Sequence, residues 1–292
     1  MARSPLRDDA ARSALAGILR SPTFELIPLR NALEQAAFLP DAATVSVTAS
    51  PAKGLEATVE LSEQLQRAGY RAVPHLAARM VRDRAHLRDL LDQLEEAGID
   101  RAFVVGGDAE EPGDYPDGLS LLRAMADAGH ALAEIGVPCY PEGHAFIPDE
   151  RLASALAAKQ PFAQYMTTQM CFDPRAIATW LAARRAEGIV LPVHIGIPGV
   201  SAVQKLVQIS ARIGIGDSRR FLAKNARLLG RLVRPGGFSP DGLLEGLAPR
   251  IADPASGIRD LHVYTFNQAE ATEDWRGRYL ASLDSAAGAA TR

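Results

Sequence analysis

A repeating rhythm of short apolar runs limits this chain to very few folds. Eight runs rich in Val, Ile, Thr or aromatic residues occur at 23–28, 44–50, 71–77, 101–108, 134–142, 164–172, 189–199 and 260–267. Each is bounded by turn or polar residues, as strands are. Several stay apolar at consecutive positions, the pattern of parallel strands buried on both faces. Helical patterns fill the intervals. At 57–68, Val59, Leu61 and Leu65 lie among Glu and Gln, and at 85–97 Leu87, Leu90, Leu91 and Leu94 form one stripe. Asp83 is the expected N-cap of that second helix and Gly98 its stop. Pro174, behind Asp173 as cap, opens a third helix over 174–186. Strand follows strand mostly at ~20–35 residues, the length of one βα unit. Eight such units predict an α/β fold of the (β/α)8, or TIM-barrel, type, with a doubly wound open sheet as the alternative.

One interval breaks the rhythm. Between Gly199 and Asp260 lie about 60 residues, too many for one crossover. Helical patterns at 203–213, 218–232 and 240–251 predict extra helices between strands seven and eight. From Ser282 the chain is small and polar, so 282–292 is expected to fray. No repeat, linker or composition shift divides the chain, and residues 1–292 read as one domain. A net charge of -3 argues against a general nucleic-acid binder, which needs a basic surface. Residues 1–10 carry Arg and Asp without an apolar stretch, and no run approaches the ~20 apolar residues of a membrane span. A soluble cytoplasmic protein is the expectation. Cys139 and Cys171 form no CxxC pair and read as small buried hydrophobes in a reducing compartment.

A barrel carries its active site where strands end and loops begin. Those ends hold Glu25, Thr48, His75, Asp108, Tyr140, Glu142, His144, Gln169, Tyr264 and Asn267. Taken alone, Glu25 also reads as half of a salt bridge at the mouth, and His75 as a hydrogen-bonded core histidine. Their convergence on one rim favours chemistry. Glu142, His144 and His75 have the donor types of a two-histidine, one-carboxylate metal site. No further acidic pair supports it, however, and His194 sits mid-strand, so no metal is expected. The run VVGGD at 104–108 lets backbone approach a flat or anionic ligand, although it matches neither GxGxxG nor a P-loop.

In order along the chain these pieces read FE, VSVTAS, VPHLA, GGD, YPEGH, TTQMCFD and HVYTFNQAE. From about Phe24 to Glu270 the succession is similar to the methylenetetrahydrofolate reductases. The resemblance implies a (β/α)8 barrel in which noncovalent FAD takes hydride from NADH or NADPH and passes it to 5,10-methylenetetrahydrofolate. It makes Glu25 the general acid that opens the folate ring, and Asp108 the carboxylate near flavin and pterin. Gln169 and Tyr264 match folate-side positions, Tyr264 near the nicotinamide as well. Thr48, His75, Gly107, Asp108, Tyr140, His144 and Lys159 match the flavin side, Lys159 across a one-residue gap. The expected partners are small molecules, with a homo-oligomer left open.

The chemistry suits these residue types. Ring opening needs a proton at the departing nitrogen, and a glutamate in an apolar strand can hold one near neutrality. A carboxylate at Asp108 would favour the cationic pterin that results. The departures fall mostly on the flavin side. Gly106 stands for the arginine of the family's RGD, Ala49 for the aromatic of VTYG and Gln268 for the arginine of YTLNR, while FEFFPP is FELIPL here. That pattern also resembles flavin-free members, in which NADH reduces the folate directly. Weakly held, partly occupied FAD is the expectation; a flavin-free reductase and a non-catalytic folate-binding barrel are the alternatives.

Overall fold

Eight parallel strands close into a barrel in chain order, the last pairing with the first. The structure is a computed structural model that describes residues 6, 8–144, 146–200 and 239–290, with the side chains of 286–290 left aside. The strands are β1 (Thr23–Leu26), β2 (Thr44–Val47), β3 (Arg71–Ala77), β4 (Arg101–Val105), β5 (Glu134–Cys139), β6 (Tyr165–Thr168), β7 (Val193–Pro198) and β8 (Ile258–Tyr264). The helices are α1 (Asp9–Arg20), α2 (Ala32–Ala36), α3 (Gly54–Arg67), α4 (Arg84–Glu96), α5 (Gly118–Ala128), α6 (Asp149–Lys159), α7 (Pro174–Ala186), α8 (Asp241–Ile251) and α9 (Ala269–Ala290). This is the (β/α)8 barrel, and the open sheet is excluded by the β1–β8 pairing.

Local chemistry explains the helices. The α4 stripe of Leu87, Leu90, Leu91 and Leu94 is buried, and the Asp83 carboxylate accepts from the His86 N–H at its start. Gly98 ends it with a φ of +69°, which a side chain would resist. Asp173 caps α7 by accepting from the Arg175 N–H, with Pro174 in the first turn. α1 precedes the strand rhythm and escapes a search built on it. Its Leu15 and Leu19 are fully buried, and it packs on α8 and α9. Truncating either leucine to alanine would cost ~2–5 kcal/mol.

Two features differ from the sequence expectation, and a third lies partly outside the described residues. Most strands end two to four residues early, because ladder pairing stops where the loops diverge; Thr48, Asp108, Tyr140, Glu142, His144, Gln169 and Asn267 lie just past the strands. The helices expected at 203–213 and 218–232 lie outside the described residues, whereas α8 accounts for 240–251. Helical backbone continues to Ala290 across the segment expected to fray, with the Ser282 hydroxyl donating to the Tyr279 carbonyl.

The barrel interior is polar and aromatic at the level that matters, where branched aliphatic residues are usual. His75 lies 4.9 Å from the Phe103 ring, and Tyr165 stacks on His194 at 4.3 Å and 15°. Gly136 makes room for these rings, since a Cβ there would collide with Tyr165 and Phe103. No helix among the described residues is long and apolar enough to cross a membrane.

Candidate active site

Alternation along β1 buries Phe24 and Leu26 on the outer face and turns Glu25 inward. There Glu25 Oε2 lies 3.1 Å from His262 Nε2 and 3.7 Å from His75 Nε2. The Glu25 side chain is 12% exposed and that of His262 only 4%. Oε1 makes no hydrogen bond or ion pair among the described residues. The Glu25 backbone is held as well, its carbonyl accepting from Thr265 Oγ1 at 2.6 Å. One residue beyond β1, Ile27 is clasped by the Asn267 amide. Its N–H donates to Asn267 Oδ1 at 2.8 Å and its carbonyl accepts from Nδ2 at 3.0 Å. This clasp continues the β1–β8 pairing by a side chain. The turn bearing it has left-handed backbone at Phe266 and Asn267, φ 51° and 52°. Asparagine tolerates that region, whereas phenylalanine resists it.

Two interior histidines, His75 and His194, are neutral near pH 7. Burial pushes His75 down to about 4, against the pull of Glu25, and its Nε2 lies 2.8 Å from Ser46 Oγ. Burial pushes His194 to about 3. His75 therefore sits inside the barrel, 8% exposed, rather than on the rim.

The remaining expected residues ring the mouth. Thr48 is placed by its N–H on the Leu26 carbonyl and by its own carbonyl under Thr58 Oγ1. Gly107 has a φ of +84°, and a Cβ there would sit 2.9 Å from Ala77 Cβ. Asp108 follows it and is exposed. The Tyr140 ring meets His144 edge-on at 5.2 Å. Burial pushes the Tyr140 hydroxyl up to about 12, with Cys139 and Asp108 adding to it, so the phenol keeps its proton. Exposed Gln169 is tied by its N–H to the Cys139 carbonyl at 2.8 Å. Tyr264 packs on His262 at 4.9 Å and donates its hydroxyl to the Thr168 carbonyl at 3.1 Å. Lys159, at the end of α6, brings Nζ beside Gly118 at the start of α5. Burial lowers its pKa, against Asp117.

Contact thus joins His75, Glu25, His262 and Tyr264, with Glu25 between the two histidines and His262 between Glu25 and Tyr264. Asp108 and Tyr140 face each other electrostatically, while Lys159 stands apart beside β4. Two residues at the centre, His262 and Ser46, were missed from the sequence. Each lies two positions before a residue that was found, Tyr264 and Thr48, and strand alternation puts i and i+2 on one face. Glu142 Oε1 accepts from the N–H groups of Phe172 and Asp173 at 2.7 and 2.8 Å, bridging two rim loops. Among the described residues no group of three or more His, Cys, Asp or Glu is placed to hold a metal ion.

Comparison with known proteins bears on the family. Methylenetetrahydrofolate reductase 1 of Schizosaccharomyces pombe is 26% identical over 199 residues, 63% of this chain and 31% of that protein. The chain therefore spans about a third of the length of that relative. The 5,10-methylenetetrahydrofolate reductase of Pectobacterium carotovorum subsp. carotovorum is 26% identical over 215 residues, 70% of this chain and 68% of its own length. The family model described as methylenetetrahydrofolate reductase matches residues 28–216, between the two strands that carry Glu25 and His262. That match takes in β2 to β7, the rim from Thr48 to Gln169 and more than half of the 292 residues, and the chain belongs to the methylenetetrahydrofolate reductase family.

Proposed function

We propose that this chain reduces 5,10-methylenetetrahydrofolate to 5-methyltetrahydrofolate in the cytoplasm, with NADH or NADPH as the source of hydride. The carrying observation is Glu25, a nearly buried carboxyl with one oxygen on His262 and the other unengaged among the described residues. His262, donating from Nε2, holds Oε2, and Oε1 is the oxygen that carries the proton to the substrate. Delivery to the departing nitrogen breaks its bond to the bridging carbon and leaves an electrophilic iminium. Hydride from the nicotinamide then completes the methyl group, consuming one proton and one hydride. The same His262 N–H stabilises the carboxylate left behind. Asp108 at the mouth favours the cationic folate by charge, and Gln169 supplies an amide to orient the pterin.

The donor set fits a flavin in part. A Cβ on Gly106 would meet nothing within 4 Å, so the backbone there is open to a flat ring. Lys159 has no hydrogen bond or ion pair among the described residues and would hold a phosphate. Thr48, Gly107, Tyr140 and His144 would flank the ring. Such a group supplies a hydride carrier between nicotinamide and folate. The second reading is direct transfer from NADH without flavin. It is favoured by His75, which faces Ser46 inside the barrel instead of the mouth.

The test is NADH oxidation that depends on methylenetetrahydrofolate, with Glu25→Gln as control. Loss of the acid should slow turnover by ~10²–10⁴-fold while folate binding stays within about an order of magnitude. Near-normal turnover by Glu25→Gln would sink the assignment.

A further inference from the structure

The proposed chemistry leaves one cation of the upper barrel without a role. Arg79 lies in the 3-10 turn Ala78–Met80 that follows β3. Its side chain reaches across to the loop after β4, where Nε donates to the Ala109 carbonyl at 2.7 Å and Nη2 to the Glu110 carbonyl at 2.8 Å. Its backbone joins the same loop. The Arg79 N–H donates to the Gly106 carbonyl at 3.0 Å, and the Gly113 N–H to the Arg79 carbonyl at 3.2 Å. These four bonds bracket Asp108 from two residues before it to five after.

The loop is braced from outside by the segment after β3. Between β4 and α5 it has no secondary structure of its own, and Glu110 and Glu111 are exposed. Its seat is the segment around Arg79. Gly107 packs on Ala77, and a Cβ on Gly113 would run into the Val81 carbonyl. Among the described residues of that seat, the Arg79 guanidinium grips the two peptides that follow Asp108 directly. A planar fork of donors fixes two carbonyls at once, which an ammonium does not. A misplacement of about 1 Å at a reacting centre can cost ~100-fold in rate.

We propose that Arg79 is a positioning residue, which by holding the Ala109 and Glu110 carbonyls sets the Asp108 carboxylate against the reacting folate. The inference rests on the role given to Asp108 above. A double-variant cycle on the full chain tests it, with Arg79→Ala, Asp108→Asn and the pair. Arg79→Ala is expected to lower kcat for methylenetetrahydrofolate reduction about tenfold and to leave KM for NADH within about twofold. In the pair, Arg79→Ala should add less than about twofold to the loss already caused by Asp108→Asn. Arg79→Gln keeps one amide donor and should recover part of the rate; it carries the cycle if Arg79→Ala does not fold. Exchange of the Gly113 amide should quicken in Arg79→Ala and not in Asp108→Asn. Losses that multiply in the pair, or an unchanged kcat in Arg79→Ala, overturn the inference. A fully active Asp108→Asn overturns instead the reading of Asp108 beneath it.

Discussion

Glu25 Oε2 and His262 Nε2 lie 3.1 Å apart in an interior where both side chains are nearly closed to solvent. The pair links β1 to β8 across the closing seam of the barrel, so the fold itself sets the direction of the acid. Removing the histidine leaves a buried carboxyl short of a donor. A hydrogen bond to a charged group contributes ~1.5–3 kcal/mol, or about ten- to a hundredfold in rate. His262→Ala should therefore lower kcat by that factor with the folate KM little changed. Steady-state kinetics decide, and a KM that rises as far as kcat falls would point to a collapsed pocket.

Asp108 should behave differently from Glu25, because it acts by charge and not by proton delivery. Asp108→Asn is expected to slow folate reduction more than hydride transfer from nicotinamide to a bound flavin. The first passes through a cationic folate, whereas flavin reduction builds negative charge nearby. Stopped-flow measurement of the two halves separates them. Equal losses would make Asp108 merely structural.

The barrel was legible because its strands are buried on both faces and so read as apolar runs at regular spacing. Their ends were not. In YPEGH and TTQMCFD the apolar run continues past the last ladder bond, and only the diverging loops end the strand. Glu25 stood out as a charge inside an apolar strand. His262 did not, since a histidine amid HVYTF looks like His194, which is a stacked interior histidine. What distinguishes the two is the neighbouring strand: β1 brings a carboxylate to His262, and β6 brings the Tyr165 ring to His194. Arg79 was invisible for the same reason, its partners lying some 30 residues further along, in another loop.

Asp260 gives a stability test independent of catalysis. Burial raises its carboxyl to about 7 from an ordinary 3.8, against the Leu261 N–H, His262, Thr23 and Arg71. The folded chain then keeps a proton that the unfolded chain releases. The stabilisation is fully present below about pH 4 and is lost as pH rises towards 7, by at most ~1.4 kcal/mol per unit. Asp260→Asn cannot ionise, so it should raise the Tm relative to the parent at pH 8 and much less at pH 4.5. Thermal melts at the two pH values read the difference, and equal shifts would show that Asp260 does not titrate in this window.

The cofactor prediction follows from counting the charged contacts that remain. Gly106 stands where the resemblance has an arginine, and Lys159 meets its counterpart only across a gap. Each charge-assisted phosphate contact is worth ~1.5–3 kcal/mol. At ~1.4 kcal/mol per tenfold, losing the one at Gly106 weakens binding by about one to two decades. A tight flavin site thus becomes one that empties during purification. The purified protein should be pale, with substoichiometric FAD in its absorbance spectrum, and added FAD should raise NADH-dependent folate reduction with a saturable dependence. Lys159→Met should abolish that response while leaving any flavin-independent rate untouched, because the lysine lies beside Gly118 and away from Glu25 and His262. If the colourless protein reaches full activity with NADH alone and FAD changes nothing, hydride passes directly from the nicotinamide. The polar barrel interior then suffices for the acid chemistry, with Glu25 and His262 keeping the same roles.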